Sequence, residues 1–323
     1  MRPLKFHPIL KQTLWGGERI IPYKELASGL SRVGESWELS GMPGSESVVA
    51  EGPWAGSTLS GLIGRFGAEL LGKANYARFG QEFPLLVKFI DAREDLSIQV
   101  HPDDELARKR HGKSGKCEMW YVLEAEPGAS LLTGFSRPIA PAEYERRVAD
   151  NTLTDVLNRQ AIASGDVFYL PAGRVHSIGK GSFIVEIQQS SDITYRIYDF
   201  DRRDAAGNSR ESHTVLAREA IDFESSENSR ITYAPENNQE VRLVTTPYFT
   251  TSLYTLTART RCDWSATDSF VAIVLLQGSG SLTDNEGNRI DVRQGETWLL
   301  PASTQWTEIT PHTAPLRLLT SRI

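Results

Sequence analysis

The sequence predicts a mainly β protein with two β-barrels of related design and helical insertions in its N-terminal part. Three observations predict this fold class. Short apolar segments alternate with Gly, Asn and Asp turns, a few helical patterns interrupt the strands, and a segment of the first half is repeated in the second. Chains of this kind usually close their sheets into barrels or sandwiches.

The first third of the chain alternates between turns, short helices and strands. Glycine-rich turn segments break up the first 60 or so residues, and the apolar spacing of 58–72 predicts one or two short capped helices. Residues 83–92 and 96–102 are apolar enough for buried strands. Residues 103–112 form a predicted helix, because two aspartates open the segment, basic residues follow and a glycine ends it.

The middle of the chain continues with strands and two further helices. Residues 117–125, 167–173 and 183–189 predict strands, and the segment 141–160, which opens with a proline, predicts a helix. A short capped helix is predicted at 212–223. From Ile231 onward the pattern is one of short strands joined by turns.

An internal repeat supports the two-barrel prediction. Residues 164–178 resemble residues 294–309, with Gly, Pro and Ala at matching places and no gap between them, and residues 119–131 resemble 271–282 more loosely. A helix separates the two segments in the first copy, whereas a tight turn, Asp-Asn-Glu-Gly, connects them in the second. The second barrel is expected to begin near residue 235, which divides the chain into two predicted domains, 1–234 and 235–323.

The candidate functional residues lie on alternating strand positions. In Ser-Ile-Gln-Val-His, Gln99 and His101 share one face, and a buried polar face of this kind needs partners or a cation. Lys116 and Glu118 share a face of the next strand, which turns Cys117 to the other side. His176 follows the Pro-Ala-Gly turn. Two imidazoles, a carboxylate and an amide oxygen suit zinc or another divalent transition metal, and a position left open to water or substrate would make the site catalytic.

The repeat bears on this metal site. A lone histidine on a strand is more often a hydrogen-bonded structural residue than a ligand. In the gap-free comparison, however, Trp306 stands opposite His176, and Phe270 stands approximately opposite Glu118. The second copy keeps the scaffold and lacks the ligand-type residues, so the scaffold itself does not require them.

Composition limits the partners. The formal net charge is −6 and the sequence pI is near 5.6, which does not favour nucleic acid or an anionic membrane as a partner. The first residues have no signal-peptide pattern, and no apolar run approaches the length of a membrane span. The two cysteines are far apart in sequence, which together with these features predicts reduced thiols and a cytoplasmic location.

Six motifs in order give the chain a family resemblance. They are LKQTLWGG, FPLLVKFIDA, LSIQVHPDD, GKCEMWYVL, PAGRVHSIGKG and TYRIYDFDR. Together they resemble the type I mannose-6-phosphate isomerases in their shorter bacterial form. The motifs cover roughly residues 5–220, and the C-terminal barrel corresponds by position. Each motif alone would be weak, but the ordered set is specific.

The resemblance implies a fold, a cofactor and a reaction. The fold is a pair of cupin (jelly-roll) barrels, and the cofactor is one zinc ion per chain with ligands at His101, Glu118 and His176 and with Gln99 at the same site. The reaction is the interconversion of mannose 6-phosphate and fructose 6-phosphate, so the expected partner is a small sugar phosphate. An aldose–ketose isomerisation passes through an enediol, whose developing oxygen charge a Lewis acid would stabilise.

Three cationic residues match positions treated as active-site residues in that family: Arg196, Lys116 and Lys88. Arg196 could position substrate or stabilise an oxyanion, or could simply pair with Asp199 or Asp201. Lys116 should enter the cavity, where desolvation beside a cation would lower its pKa, although a surface lysine is the alternative. An inward lysine in the apolar run around Lys88 is unusual. The sequence leaves open the general base, the phosphate-binding residues and the oligomeric state.

Two other functions remain open at this point. One is a non-enzymatic cupin that binds sugar and uses metal only for structure. The other is a cupin dioxygenase that holds Fe(II) through two histidines and a carboxylate. The ordered motifs favour the isomerase over both.

Overall fold

The computed structural model describes residues 1–224 and 228–323 and confirms a mainly β chain. The strands of the N-terminal two-thirds are β1 (Leu4–Lys5), β2 (Ile9–Gly17), β3 (Val33–Leu39), β4 (Gly41–Met42), β5 (Ser45–Glu46), β6 (Leu85–Asp91), β7 (Ile98–Val100), β8 (Glu118–Ala125), β9 (Ser130–Phe135), β10 (Leu157–Ala161), β11 (Val167–Leu170), β12 (His176–Ile178), β13 (Ser182–Gln189), β14 (Tyr195–Tyr198) and β15 (Arg230–Ile231). Those of the last third are β16 (Val241–Thr245), β17 (Thr250–Leu256), β18 (Thr260–Asp263), β19 (Val271–Gln277), β20 (Ser279–Asp284), β21 (Arg289–Arg293), β22 (Thr297–Leu300), β23 (Trp306–Pro311) and β24 (Leu316–Arg322).

The helices lie in the N-terminal two-thirds, as predicted. They are α1 (Ile20–Tyr23), α2 (Leu59–Phe66), α3 (Ala68–Leu71), α4 (Lys73–Phe79), α5 (Asp104–His111), α6 (Pro141–Ala149) and α7 (Thr214–Ala220), with a 3-10 turn at Leu153–Val156. The side chain of Asp103 accepts a hydrogen bond from the Leu106 amide and caps α5, which ends at the left-handed Gly112 (φ 65°). No helix among the described residues is long and apolar enough to span a membrane.

The prediction of one helix over 141–160 is wrong in its second half. The helix ends at Ala149, and Asn151 adopts a positive φ of 56°, which breaks the helical path. After the 3-10 turn, β10 pairs antiparallel with β9. Tertiary pairing therefore overrides the helical preference of this segment.

Two sheets form the N-terminal pair of the fold. The five-stranded sheet has the order β10-β9-β12-β7-β14, and the seven-stranded sheet has the order β15-β11-β8-β13-β6-β3-β2. An apolar cluster that includes Trp120, Phe168 and Ile178 draws its members from the facing sides of both sheets. On its outer side the five-stranded sheet is covered by α5, α6 and α7 through a separate apolar cluster. The candidate metal ligands lie between the two sheets.

Two more sheets form the C-terminal pair. The six-stranded sheet has the order β1-β22-β19-β24-β17-β16, and the four-stranded sheet has the order β18-β23-β20-β21. The space between them is filled by apolar side chains, Trp264 and Trp298 among them. The largest apolar cluster joins the outer faces of the six-stranded and seven-stranded sheets. The predicted count of two barrels and the boundary at residue 235 stay predictions.

The internal repeat is visible in the strand order. The run β11-β8-β13-β6-β3 corresponds strand for strand to β22-β19-β24-β17-β16, and β7-β12-β9-β10 corresponds to β18-β23-β20-β21. Corresponding strands also follow one another in the same order along the chain. As predicted, α6 lies between β9 and β10, whereas a tight turn joins their counterparts β20 and β21.

The gap-free pairing of His176 with Trp306 is wrong by one residue. Ile178 of β12 and Ile309 of β23 both face inward, into the apolar clusters of their own sheet pairs. Because side chains alternate along a strand, Thr307 and not Trp306 shares the inward position of His176. One residue more therefore separates Leu300 from Thr307 than separates Leu170 from His176, and Trp306 adds this residue at the start of β23.

The pairing of Glu118 with Phe270 is also shifted by one residue. Leu170 pairs with Glu118, and its counterpart Leu300 pairs with Val271. Val271 faces the inner cluster of the C-terminal pair, and Phe270 faces the opposite cluster. The conclusion from the repeat survives, because valine and threonine are no more suited to hold a transition metal than the residues first aligned.

Candidate metal centre

Three strand ends bring the predicted ligands together. Glu118 begins β8 in the seven-stranded sheet, His176 begins β12 in the five-stranded sheet, and His101 follows the end of β7 beside it. All three residues are buried, and one ligand atom from each lies within 4.8 Å of the others. The structure thus brings together His101 and Glu118, which alternation predicts to face inward, and His176, which the sequence places only after a turn.

The carboxylate lies between the two imidazoles. Glu118 Oε1 is 3.2 Å from His176 Nε2, and Glu118 Oε2 is 3.4 Å from His101 Nε2. Ligands held about 2.0–2.1 Å from a tetrahedral ion lie roughly 3.3 Å apart. The observed spacing therefore fits ligands that converge on a single first-row ion.

Each imidazole is oriented by a backbone carbonyl. The Nδ1 atom of His101 lies 2.8 Å from the Ile193 carbonyl oxygen, and the Nδ1 atom of His176 lies 2.8 Å from that of Arg174. A carbonyl only accepts, so Nδ1 carries the proton in both rings. Nε2 is then an acceptor with its lone pair directed toward Glu118, which is the tautomer that binds a metal.

The inner atoms of this cluster lack hydrogen bonds. Among the described residues, His101 Nε2 and both carboxylate oxygens of Glu118 are buried without a hydrogen-bond partner. An unsatisfied buried polar atom costs about 1–3 kcal/mol, and a buried carboxylate costs more. A divalent cation would satisfy all of these atoms at once, so the residues present fit a metal.

The electrostatics of the cluster favour the ligating protonation states. Burial lowers the pKa of His101 to about 3 and also lowers that of His176, so both rings are neutral near neutral pH. Burial would raise the pKa of Glu118, but its charged and polar neighbours, with the Lys116 ammonium first among them, outweigh it and hold this pKa well below its ordinary value. The set is thus one anion and two neutral nitrogen donors.

Gln99 lies at the same site, as expected. It pairs with His176 across the strands, and its Nε2 is 3.3 Å from His176 Nε2. A half-turn of the amide would present its oxygen to the ligands instead. The row of paired positions Thr133, His176, Gln99 and Arg196 crosses four strands on this inner face.

Lys116 enters the site, as the alternation predicts. Its ammonium lies 3.3 Å from Glu118 Oε2, and the residue is only 5% exposed, which excludes a surface lysine. Cys117 points elsewhere, since its sulfur accepts a hydrogen bond from the Ala172 amide. The thiol is therefore not part of the ligand set.

Lys88 is buried on the inner face of β6. Its ammonium forms a 3.0 Å ion pair with Glu186 and lies 3.9 Å from Glu35. Burial alone would lower the pKa of Lys88, but these two carboxylates raise it above its ordinary value. Lys88 is consequently a fixed positive charge.

Sequence reasoning missed Glu186. It is 3% exposed, and its second oxygen accepts from Trp120 Nε1 at 2.9 Å, while the Trp120 ring meets His176 edge to face at 5.4 Å. Glu186 thus connects Lys88 to the wall of the metal site. The available signal was a carboxylate inside the apolar strand 183–189, but only the pairing of β13 with β6 reveals its partner.

Arg196 lies across the strand from Gln99, at the edge of the same inner face. In the described part of the chain, no ion pair joins it to Asp199 or Asp201. Instead Asp199 pairs with Arg202 and Arg210, and Arg196 donates to the Glu211 carbonyl at 3.0 Å. Burial lowers its pKa, and its Nε is buried without a partner among the described residues.

A cavity opens beside this set of charged residues. It has a volume of about 550 Å³, and its lining residues are Gln12, Thr13, Leu14, Trp15, Arg32, Glu35 and Arg210. Glu35 contributes to this lining and also lies near Lys88. Glu35 thus lies between the cavity and the buried ammonium of Lys88, and the cavity is large enough for a small ligand.

The fold and the site together define a class: a mainly β protein with a buried His/Glu/His site of the kind that holds a divalent metal. Comparison with known proteins gives the family. A family model described as the catalytic domain of type I phosphomannose isomerase matches residues 4–132, which include Gln99, His101 and Glu118.

Full-length relatives extend the comparison to the rest of the chain. A probable mannose-6-phosphate isomerase of Bacillus subtilis is 34% identical over 303 residues, which is 93% of each chain. A mannose-6-phosphate isomerase of Streptococcus mutans is 32% identical over 302 residues, covering 93% of this chain and 92% of the relative. The crystal structure of the mannose 6-phosphate isomerase from Bacillus subtilis superposes with a TM-score of 0.90 at 29% identity over all of both chains. The chain belongs to the type I phosphomannose isomerase family and is an isomerase.

Proposed function

We propose that this chain is a zinc-dependent aldose–ketose isomerase that interconverts mannose 6-phosphate and fructose 6-phosphate through an enediol. The observation that carries the proposal is the buried cluster of His101, Glu118 and His176, in which His101 Nε2 and both Glu118 oxygens have no hydrogen-bond partner among the described residues. Membership of an isomerase family supplies the reaction class, and the names of the relatives suggest the substrate pair.

The donor set supports zinc as the metal. His101, His176 and Glu118, with the amide of Gln99, form a mixed nitrogen and oxygen set that suits zinc, and nitrogen and oxygen sets also take iron. When bound, the metal would supply a Lewis acid for the charge that develops on the two substrate oxygens. The residues that hold it are the four named here.

Lys88 is proposed to act as a charge and not as a base. Its ion pair with Glu186 and its raised pKa keep it protonated over the working pH range. A permanent cation in a water-excluded site stabilises negative charge on a substrate more effectively than it would in water. Proton transfer must then be assigned to other groups.

Lys116 is the candidate for moving a proton. It is buried next to a ligand carboxylate, within the N-terminal sheet pair, and carries three N–H donors that can reach a substrate hydroxyl. Its contact with Glu118 holds the ammonium in place. We therefore propose it as a catalytic residue beside the metal ligands.

Arg196 is proposed to position the anionic end of the substrate. Its guanidinium carries no ion pair to Asp199 or Asp201 in the described residues, so the charge is not neutralised by the carboxylates expected from sequence. A planar guanidinium binds a phosphate with two parallel hydrogen bonds. Arg196 lies at the rim of the inner face, which suits contact with the phosphate because the phosphate does not react.

We also propose the domain division, the cellular location and the partner that the sequence predicts. The metal site lies in the proposed catalytic domain, 1–234, and the corresponding interior of the proposed domain at 235–323 is filled mainly by apolar side chains. Cys117 and Cys262 are free and buried, which supports a reducing compartment such as the cytoplasm as the place of action. The expected partner is a sugar phosphate.

A coupled assay tests the function. Purified protein should convert mannose 6-phosphate to fructose 6-phosphate, lose this activity when a chelator removes the metal, and regain it when Zn²⁺ is added back. Restoration by Fe²⁺ alone would exclude zinc as the native metal. Full turnover by metal-free protein would refute the proposal.

A further inference from the structure

One irregular segment holds the ring of His101. Residues 190–194 connect β13 to β14, and within them the Ile193 carbonyl accepts the Nδ1–H of His101 at 2.8 Å. The orientation of the imidazole therefore depends on where this segment lies. Regular strand pairing does not place it, so other contacts must.

Gln189 anchors the start of this segment with three hydrogen bonds. Its side-chain Oε1 accepts from the Cys117 amide at 2.9 Å, and its backbone amide donates to the Cys117 carbonyl at 3.1 Å. Its Nε2 donates to Asp104 Oδ1 at 3.0 Å. The residue is 7% exposed. Its oxygen faces a donor and its nitrogen faces an acceptor, so only one orientation of the amide satisfies both bonds.

These bonds reach both sides of the metal site. Cys117 directly precedes Glu118, and Asp104 lies three residues after His101 at the first position of α5. The Gln189 carbonyl in turn accepts from the Ser191 amide at 2.8 Å, which fixes the turn that leads to Ile193. One amide thus joins the chain segments that carry His101, its carbonyl partner and Glu118.

We propose that Gln189 is a positioning residue that sets the separation and orientation of His101 relative to Glu118, and so tunes metal affinity. The proposal rests on the proposed metal centre. Residues behind metal ligands commonly change metal affinity about 10–100-fold when they are replaced, because the ligands lose their orientation before the metal binds.

The measurement is the Zn²⁺ dissociation constant, obtained by competition with a chromophoric chelator, together with the visible absorption of the Co²⁺-substituted protein. Gln189→Ala should weaken Zn²⁺ binding about 10–100-fold and alter the Co²⁺ spectrum. Asn75→Ala is the matched control. It removes another buried amide with two hydrogen bonds, to Leu71 and Ser269, and should leave both readouts unchanged.

A second test adds a charge at position 189 and then removes the charge that faces it. It does not shorten the side chain of Gln189. Gln189→Glu keeps the acceptor for Cys117 but places a carboxylate against Asp104, so it should weaken Zn²⁺ binding. Asp104 Oδ1 accepts from both Gln189 and the Gly115 amide, so Asp104→Asn can keep this oxygen in place while it removes the negative charge. The double variant no longer sets two carboxylates against each other and should recover part of the affinity. A general loss of packing would not be reversed in this way.

The outcomes separate the two claims. Wild-type affinity and spectrum in Gln189→Ala, or a double variant no better than Gln189→Glu alone, would overturn the positioning role while leaving the metal centre intact. A wild-type protein that binds no Zn²⁺ would overturn the metal centre itself, and the role of Gln189 with it.

Discussion

The two sheet pairs have the same strand order but opposite interiors. The N-terminal pair carries His176, Gln99, His101 and Glu118 at positions where the C-terminal pair carries Thr307, Cys262, Trp264 and Val271. In the C-terminal pair the Trp264 indole donates to Thr307 at 3.0 Å, and apolar side chains fill the remaining space. In the N-terminal pair the equivalent space is surrounded by buried polar atoms without hydrogen bonds among the described residues.

The difference shows that the scaffold is stable without polar ligands. A β-sandwich of this order closes well around tryptophan and valine, so the buried carboxylate and imidazoles of the N-terminal pair add an energetic cost that a cation would offset. Substitutions at corresponding positions of the two pairs should therefore have very different consequences.

The largest contrast is expected between His176→Ala and Thr307→Ala. Loss of His176 removes a ligand and should lower kcat/KM at least about a thousandfold, since a metal contributes several kcal/mol to the stabilisation of the transition state. Thr307→Ala should change kcat/KM less than about twofold, because Trp264 and Val271 in its site offer no metal ligand and Cys262 is the single ligand-type residue there. Steady-state kinetics of both variants provide the test, and similar losses in the two would break the comparison.

Zinc should stabilise the N-terminal pair specifically. Saturating Zn²⁺, at about a thousand times its dissociation constant, adds about 4 kcal/mol and should raise the Tm on the order of 10 °C. His101→Ala should show no such rise. Calorimetry with chelator and with Zn²⁺ measures the difference, and an equal rise in His101→Ala would place the stabilising metal elsewhere.

The metal-free protein should lose stability on mild acidification. Burial holds the folded-state pKa of His101 at about 3, below the value of about 6.5 in the unfolded chain, so only the unfolded chain takes up a proton between these values. The contribution of His101 is therefore present above pH 6.5 and lost as pH falls below it, by about 2 kcal/mol between roughly pH 7.5 and 5.

Urea denaturation of the chelated protein at the two pH values measures this loss. His101→Gln should reduce the difference by about 2 kcal/mol, and His7→Gln, at an exposed position, should leave it unchanged. An unchanged difference in His101→Gln would show that this ring is not held neutral in the folded protein.

The smallest effect concerns the C-terminal pair. Trp264→Phe removes the indole hydrogen bond to Thr307 and should lower the free energy of unfolding by about 1 kcal/mol. Zn²⁺ affinity should not change, because the equivalent histidine lies in the other sheet pair. A lower Zn²⁺ affinity in this variant would mean that the two interiors are coupled.

The sequence predicts which face of its strand a ligand occupies more accurately than it predicts which residues of the two repeat copies correspond. Alternation along a strand depends only on local geometry, so Gln99 and His101, and likewise Lys116 and Glu118, could be assigned to inner faces in advance. The comparison of the two copies misplaces the counterparts of His176 and Glu118 by one residue, because a shift of one residue along a strand leaves no mark in the sequence until the strands are paired.

Contacts between distant strands were beyond sequence reasoning. The ion pair of Lys88 with Glu186 depends on the register of β6 and β13, and the hydrogen bonds of Gln189 depend on where α5 begins. Proximity in sequence makes Asp199 and Asp201 alternative partners for Arg196, but Arg202 and Arg210 pair with Asp199 instead. Local patterns predict faces and caps, whereas partner choice follows from the assembled sheets.

The metal content of the purified chain tests the central claim most directly. Elemental analysis should find one divalent metal ion per chain in the wild-type protein, and below about a tenth of that in His101→Ala, since the remaining donors hold a transition metal weakly. Two ions per chain in the wild type, or a full ion in His101→Ala, would contradict a single site confined to the N-terminal sheet pair.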